Sequence, residues 1–290
     1  MESQTLEKKP DQVRVDELLS KGLNNLPSPP IVVQRLNTRL GQEDVSSHEI
    51  ASIIETDQSF TVRILKLVNS PFYGFARKIV SVEEAITMLG FNAVQQLVFT
   101  TSVLSRFKFK NKRLDLGEFW RHSFGVGIIG KHLLMKNRRL QNEGFLCGIL
   151  HDIGRLLFLT AVPEKFASFY FRGSMMIDLE TEREAFGINH QQFGEILAQK
   201  WNLPDSLATV IGNHHTPLGA IDYEVIASAV HVANLISHAL NIGDSGNYFV
   251  SNFSPEAWEL LGISYDDLEE VLRKAISEIE ASENLLRELG

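Results

Sequence analysis

Two ionisable residues in the middle of an apolar run restrict the folds open to this chain. In GILHDIGRLLF, residues 148–158, His151 and Asp152 stand side by side among residues that otherwise belong in a core. Burying either is unfavourable unless it is hydrogen-bonded, paired or bound to a metal. Adjacent residues on a helix diverge by about 100°, so a fold that hides this segment must supply partners in two directions. With Arg155, the same two residues interrupt the run and argue against a membrane span.

The rest of the chain reads as helix. Ser46 and Glu49 form a capping-box pattern ahead of Ile50, Ile53 and Ile54. Ser81 and Glu84 repeat it before Ala85, Ile86 and Leu89, with Gly90 as the stop. Ser254 followed by Pro255 is another start. Ser264 and Asp267 open a last helix whose apolar stripe is Leu268, Val271, Leu272, Ala275, Ile276 and Ile279. YFVSNF at 248–253 is the one short β-like run. The expected fold is all-α and two-lobed. A polar segment covers 1–20, and LPSPP at 26–30 is an extended entry, since residues before proline avoid helix. One helical lobe covers about 21–107, a polar connection lies at 108–118, a second lobe covers about 115–240, and C-terminal helices fill 241–290. The loop at 69–81 holds Phe72, Tyr73 and Phe75, which either cap the core or anchor another protein.

Charge and cysteine content narrow the function. A net charge of −8 over 290 residues speaks against a broad nucleic-acid surface. Cys147 is the single cysteine, which excludes an internal disulfide and Cys-rich zinc sites. The N-terminus is polar with no apolar leader, so a cytoplasmic location is expected, with no membrane partner.

Further polar residues fall where the second lobe should be apolar. Glu118 and His122 are four apart and share a helix face, His190 opens another helix, and His214 and His215 close one before Pro217. Histidine with carboxylate is a ligand set for iron, manganese, zinc or nickel, and several helices facing one core can assemble it. The other reading is a set of separately satisfied side chains. A Glu–His pair at this spacing is common on solvated faces, and a His pair at a helix end suits the macrodipole. His48, His132, His231 and His238 are read as ordinary core or surface residues.

These segments together resemble a known family. FWRHS, GILHDIG, EREAFGINHQQFGEILAQKWNLP and NHH resemble the HD superfamily of metal-dependent phosphohydrolases. LPSPPIVVQRL, IIETDQSFTVRILKLVNSPFYG and SVEEAITMLGFNAVQQLV narrow it to the HDOD domain, an output domain of bacterial signalling proteins, over about 21–240. The resemblance implies an all-α bundle with a transition metal, one ion or two, iron first and then manganese, nickel or zinc. It implies ligands at Glu118, His122, His151, Asp152, His190, His214 and His215, with Asp152 bridging. The last aspartate of the HD pattern falls at Asn234, which brings no charge, and the GYP signature of the cyclic-di-GMP phosphodiesterases is absent. Arg155 is a candidate phosphate contact. The expectation is a signalling module with a protein partner and weak or no catalysis. The alternative is a phosphohydrolase acting on a nucleotide or phosphoester.

Overall fold

Serine caps organise the first helices. The computed structural model describes residues 31–40, 45–71, 73–106, 114–170, 177–246 and 252–289. Ser46 Oγ accepts from the Glu49 N–H at 3.2 Å while the Glu49 carboxylate accepts from the Ser46 N–H at 3.1 Å. This closed box opens α2 (Ser47–Glu55), which follows α1 (Ile31–Leu40) and precedes α3 (Gln58–Val68). Ser81 caps α4 (Val82–Leu89), and Gly90, at φ +85°, turns the chain into α5 (Phe91–Arg106). These helices bury Leu36, Ile54, Ile64, Ile86 and Leu97 against one another, each worth about 1.5–3 kcal/mol of transfer free energy. Asn69 ties the 69–81 loop shut by donating to the Ile79 carbonyl and accepting from its N–H, both at 2.8 Å. Tyr73 and Phe75 stack and pack against the core; Phe72 lies outside the described residues.

The remaining helices surround the HD segment. They are α6 (Leu116–Leu133), α7 (Gln141–Leu150), α8 (Ile153–Ala161), α9 (Pro163–Tyr170), α10 (Leu179–Phe186), α11 (His190–Lys200), α12 (Asp205–Asn213), α13 (Glu224–Ala239), α14 (Pro255–Leu261) and α15 (Tyr265–Leu289). Helix α6 packs on α7, α13 and α15, and α11 packs on α8 and α12. At the α6–α7 crossing a Cβ on Gly148 would meet the Gly127 Cα at 2.5 Å, so glycine alone permits this backbone contact. The stretch Arg138–Ala161 is apolar and long enough to cross a membrane, but 89% of its apolar window is buried in the fold, so it forms the core element of this half.

The C-terminal stripe docks on the chain itself. Val271, Ala275 and Ile279 are buried, Ile276 faces outward, and Glu278 takes Lys131 at 3.2 Å and His132 at 2.9 Å from α6. The chain is all-α: among the described residues there is no strand, and Asn252 and Phe253 of the β-like run have none. Residues 1–30, 107–113 and 247–251 lie outside the described residues, and with them the expected polar N-terminal segment, the LPSPP entry, most of the 108–118 connection and the rest of that run.

Candidate metal centre

The turn between α7 and α8 carries His151 and Asp152, both with no solvent exposure. His151 Nδ1 lies 2.7 Å from the Gly148 carbonyl, which can only accept, so Nδ1 carries the proton and Nε2 keeps its lone pair. His190 and His214 repeat the arrangement. His190 Nδ1 donates to the Glu182 carboxylate at 2.7 Å, and His214 Nδ1 donates to the Ile211 carbonyl at 2.9 Å. Three imidazoles from α7, α11 and α12 thus turn their Nε2 atoms toward Asp152. His151 Nε2 is 3.3 Å from Oδ2, and His190 and His214 Nε2 are 3.3 and 3.7 Å from Oδ1. His190 and His214 Nε2 face each other at 3.2 Å. Both Asp152 oxygens, His151 Nε2 and His215 Nδ1 are buried without a hydrogen-bond partner.

This is a set of acceptors facing acceptors, and protons do not resolve it. Burial first, then the neighbouring imidazoles, holds His122, His214 and His215 well below the usual histidine range. Burial alone would raise the Asp152 carboxyl, yet Arg155 Nε at 3.2 Å and then His151 hold it well below the usual carboxylate range. The donor atoms of Asp152, His190, His214 and His215 lie within 4.8 Å of one another, and so do those of His122, His151 and Asp152. Nitrogen-rich, lone-pair-lined and anionic, the cluster fits a transition-metal cation, with Asp152 common to both groups.

Comparison with known proteins identifies the scaffold. The profile of the HDOD domain matches residues 26–217, more than half of the chain. The chain belongs to the HDOD family. A crystal structure of an HDOD domain protein of unknown function from Geobacter sulfurreducens is similar at 26% identity and TM-score 0.71, covering 94% of this chain and 99% of that one. A "Putative phosphohydrolase" from Shewanella amazonensis SB2B shares the fold at 24% identity and TM-score 0.72, covering 94% and 98%. An uncharacterized protein of Treponema pallidum (strain Nichols) is 25% identical over 228 residues; the match covers 73% of this chain and 42% of that relative, so the chain spans less than half its length.

In this HDOD chain the two groups differ. His122, on α6, places Nε2 3.1 Å from Asn234 Oδ1 and Nδ1 3.3 Å from both the Ile242 carbonyl and Ser237 Oγ, so its single proton serves either the amide or the carbonyl. At Asn234 the site therefore has a neutral amide against an imidazole, and the group of His122, His151 and Asp152 is the poorer in charge. The group of Asp152, His190, His214 and His215 keeps its lone pairs free of such bonds to side-chain amides.

Two expected residues stand elsewhere. Glu118 does not join the cluster: its side chain is 46% exposed and pairs with Arg121 at 3.6 Å. The turn after α13 occupies that flank, where the Asp244 N–H donates to the Glu118 carbonyl at 3.0 Å and Gly243 lies directly on the backbone of Glu118 and His122. Arg155 is neither a surface charge nor an open phosphate contact. It is buried, pairs with Asp152, donates from Nη1 to Ser245 Oγ at 3.0 Å and lies 5.9 Å from the Tyr170 ring.

Glu182, Tyr170 and His238 also stand near the cluster, and nothing in the sequence pattern marked them as part of it. Glu182 lies four residues before the buried Phe186, a helical spacing that could have marked it as inward-facing. Burial would raise its carboxyl, but His190 and Arg155 hold it below the ordinary value. His238, four residues after Asn234, has its ring centroid 4.6 Å from that of His122, and burial followed by Arg155 pushes its pKa down to about 4. His48 and His132 pair with Glu83 and Glu278, and His231 Nδ1 donates to the His214 carbonyl at 2.9 Å, bracing that ligand candidate from behind.

Proposed function

We propose that this chain is a bacterial signalling module that binds a transition metal and hydrolyses phosphoesters weakly or not at all. The carrying observation is the convergence of Nε2 lone pairs on a buried Asp152 carboxylate whose oxygens have no hydrogen-bond partner and whose cation is Arg155, beside a position where Asn234 lies against His122. Asp152, His190, His214 and His215 would hold the ion, iron first and then manganese, nickel or zinc; bound there, it supplies Lewis acidity. Efficient hydrolysis needs open access and cationic groups aimed at the substrate. Here His122, His151, Asp152 and His214 have no exposure, and Arg155 is committed inward. In this reading the lobe over 21–107 and the HD-like lobe over 115–240 act in the cytoplasm as one output unit for a protein partner, and the helices of 241–290 tie to the second lobe through Glu278.

One observation favours the alternative, a metal-dependent phosphohydrolase acting on a nucleotide or phosphoester: His215 is only half-buried and gives the cluster one edge nearer the surface. Protein purified without chelator and loaded with iron(II) or manganese(II) is assayed on cyclic di-GMP and a generic phosphodiester. The expected result is about one metal per chain and turnover no higher than that of Asp152→Ala. Robust turnover by the wild type, lost in Asp152→Ala, would establish the hydrolase instead.

A further inference from the structure

Glu182 is tied to the centre without being one of its donors. It is 1% exposed, and its oxygens face three donors: the His190 backbone N–H at 2.7 Å, His190 Nδ1–H at 2.7 and 2.9 Å, and the Tyr170 hydroxyl at 2.6 Å. A position that only accepts suits the ionised carboxylate. The backbone that carries His190 is fixed in place, because a Cβ on Gly154 would lie 1.8 Å from the His190 carbonyl; α8 and the start of α11 touch backbone to backbone.

We infer that Glu182 is the positioning residue of the centre, fixing the His190 tautomer with Nε2 turned to Asp152 and strengthening that imidazole as a metal donor, with Tyr170 holding the carboxylate in line. The inference rests on the metal-binding reading above and deepens it. A carboxylate behind a ligating histidine sets ring orientation and basicity, and its loss commonly weakens metal binding 10- to 100-fold, by about that factor here as well. Charge balance points the same way. Among the described residues Arg155 is the one buried Arg or Lys, set against the buried carboxylates of Asp152 and Glu182, so the enclosed cluster is left net anionic, which favours a cation. Without Glu182 that excess negative charge is gone, and either His190 ring nitrogen is then free to carry the proton.

Cobalt(II) is the probe, because its visible absorption reports the donors around it. Glu182→Gln keeps the shape and can still accept from Nδ1–H, but removes the charge. The expected result is a Kd for cobalt(II) raised about 10- to 100-fold, a shifted absorption at saturation, and cooperative unfolding of the metal-free variant. Tyr170→Phe leaves the carboxylate and removes one of its donors; it raises the Kd by a smaller factor and decides the matter if Glu182→Gln does not fold. Equal affinity and equal spectra in the wild type and both variants would overturn the role of Glu182. A wild type that takes up no cobalt(II) would overturn the metal reading itself.

Discussion

Ile54 and Asp152 are equally hidden, each with no exposed surface, and their surroundings could hardly differ more. Ile54 sits among Leu36, Ile50 and Ile64 in a region where, among the described residues from 31 to 106, the buried polar side chains are Ser70, Gln96, Thr100, Thr101 and Ser102. Thr101 and Ser102 bond back to carbonyls of their own helix. Asp152 sits among His151, His190, His214 and Arg155, with His122 and Glu182 close by. The first region is held by apolar burial and caps, which respond little to protons or ions. The second leaves buried carboxylate oxygens and imidazole nitrogens without hydrogen-bond partners, which in the proposed reading a cation completes. On that reading one chain contains a half whose stability should be insensitive to solution chemistry and a half whose stability should depend on it.

Acid separates the two most strongly. In the folded chain burial keeps His122, His214 and His215 neutral, whereas the unfolded chain protonates them from about pH 6.5 downward. The unfolded state then binds more protons, so stability is full above that pH and is lost as pH falls, by up to about 1.4 kcal/mol per pH unit for each histidine. Urea unfolding of the metal-free protein at about pH 7.5 and about pH 5.5 measures this. A profile flat over that interval would erase the contrast between the halves.

Asp152→Ala comes next. It leaves Arg155 buried without its nearest carboxylate and is expected to destabilise the metal-free chain by about 3–5 kcal/mol, as breaking a buried pair does. Denaturant midpoints and metal content, measured on one preparation, test both consequences. Ile54→Ala sharpens the comparison from the other side. It opens a cavity costing about 2–5 kcal/mol, and that loss should be the same with and without chelator. A chelator-dependent cost at Ile54 would show that the halves are energetically one.

The difference between the halves also explains what the sequence could reveal. Caps are local, so Ser46 with Glu49 and Ser81 with Gly90 read directly as helix ends and are found there. His151 and Asp152 announce themselves because two burials in an apolar run have no local remedy. Partners from α11 and α12 are different: His190 and His214 stand out in the sequence as polar residues in an apolar lobe, but their approach to Asp152 depends on contacts such as Gly154 on the His190 backbone, and it is the family resemblance that groups them around one ion. Glu182 stayed hidden because LETEREAF looks like a solvated acidic helix, and its burial follows from α10 packing beside His190. Glu118 misled because sharing a helix face with His122 says nothing of which chain segment will cover that turn. Arg155 misled in the opposite sense: one turn beyond Asp152, it pairs with that carboxylate instead of reaching solvent or a ligand.

The central claim is that the lone pairs around Asp152 are completed by a transition-metal ion. Its most direct test is metal analysis of protein purified without chelator, joined to unfolding of the same sample before and after chelation. The expected result is bound transition metal and a loss of stability on its removal, about 2.7 kcal/mol where free metal stands at about 100 times its Kd. Returning transition metal should restore that stability, and magnesium should not. No bound metal, together with identical unfolding of the chelated and metal-supplemented protein, would contradict it.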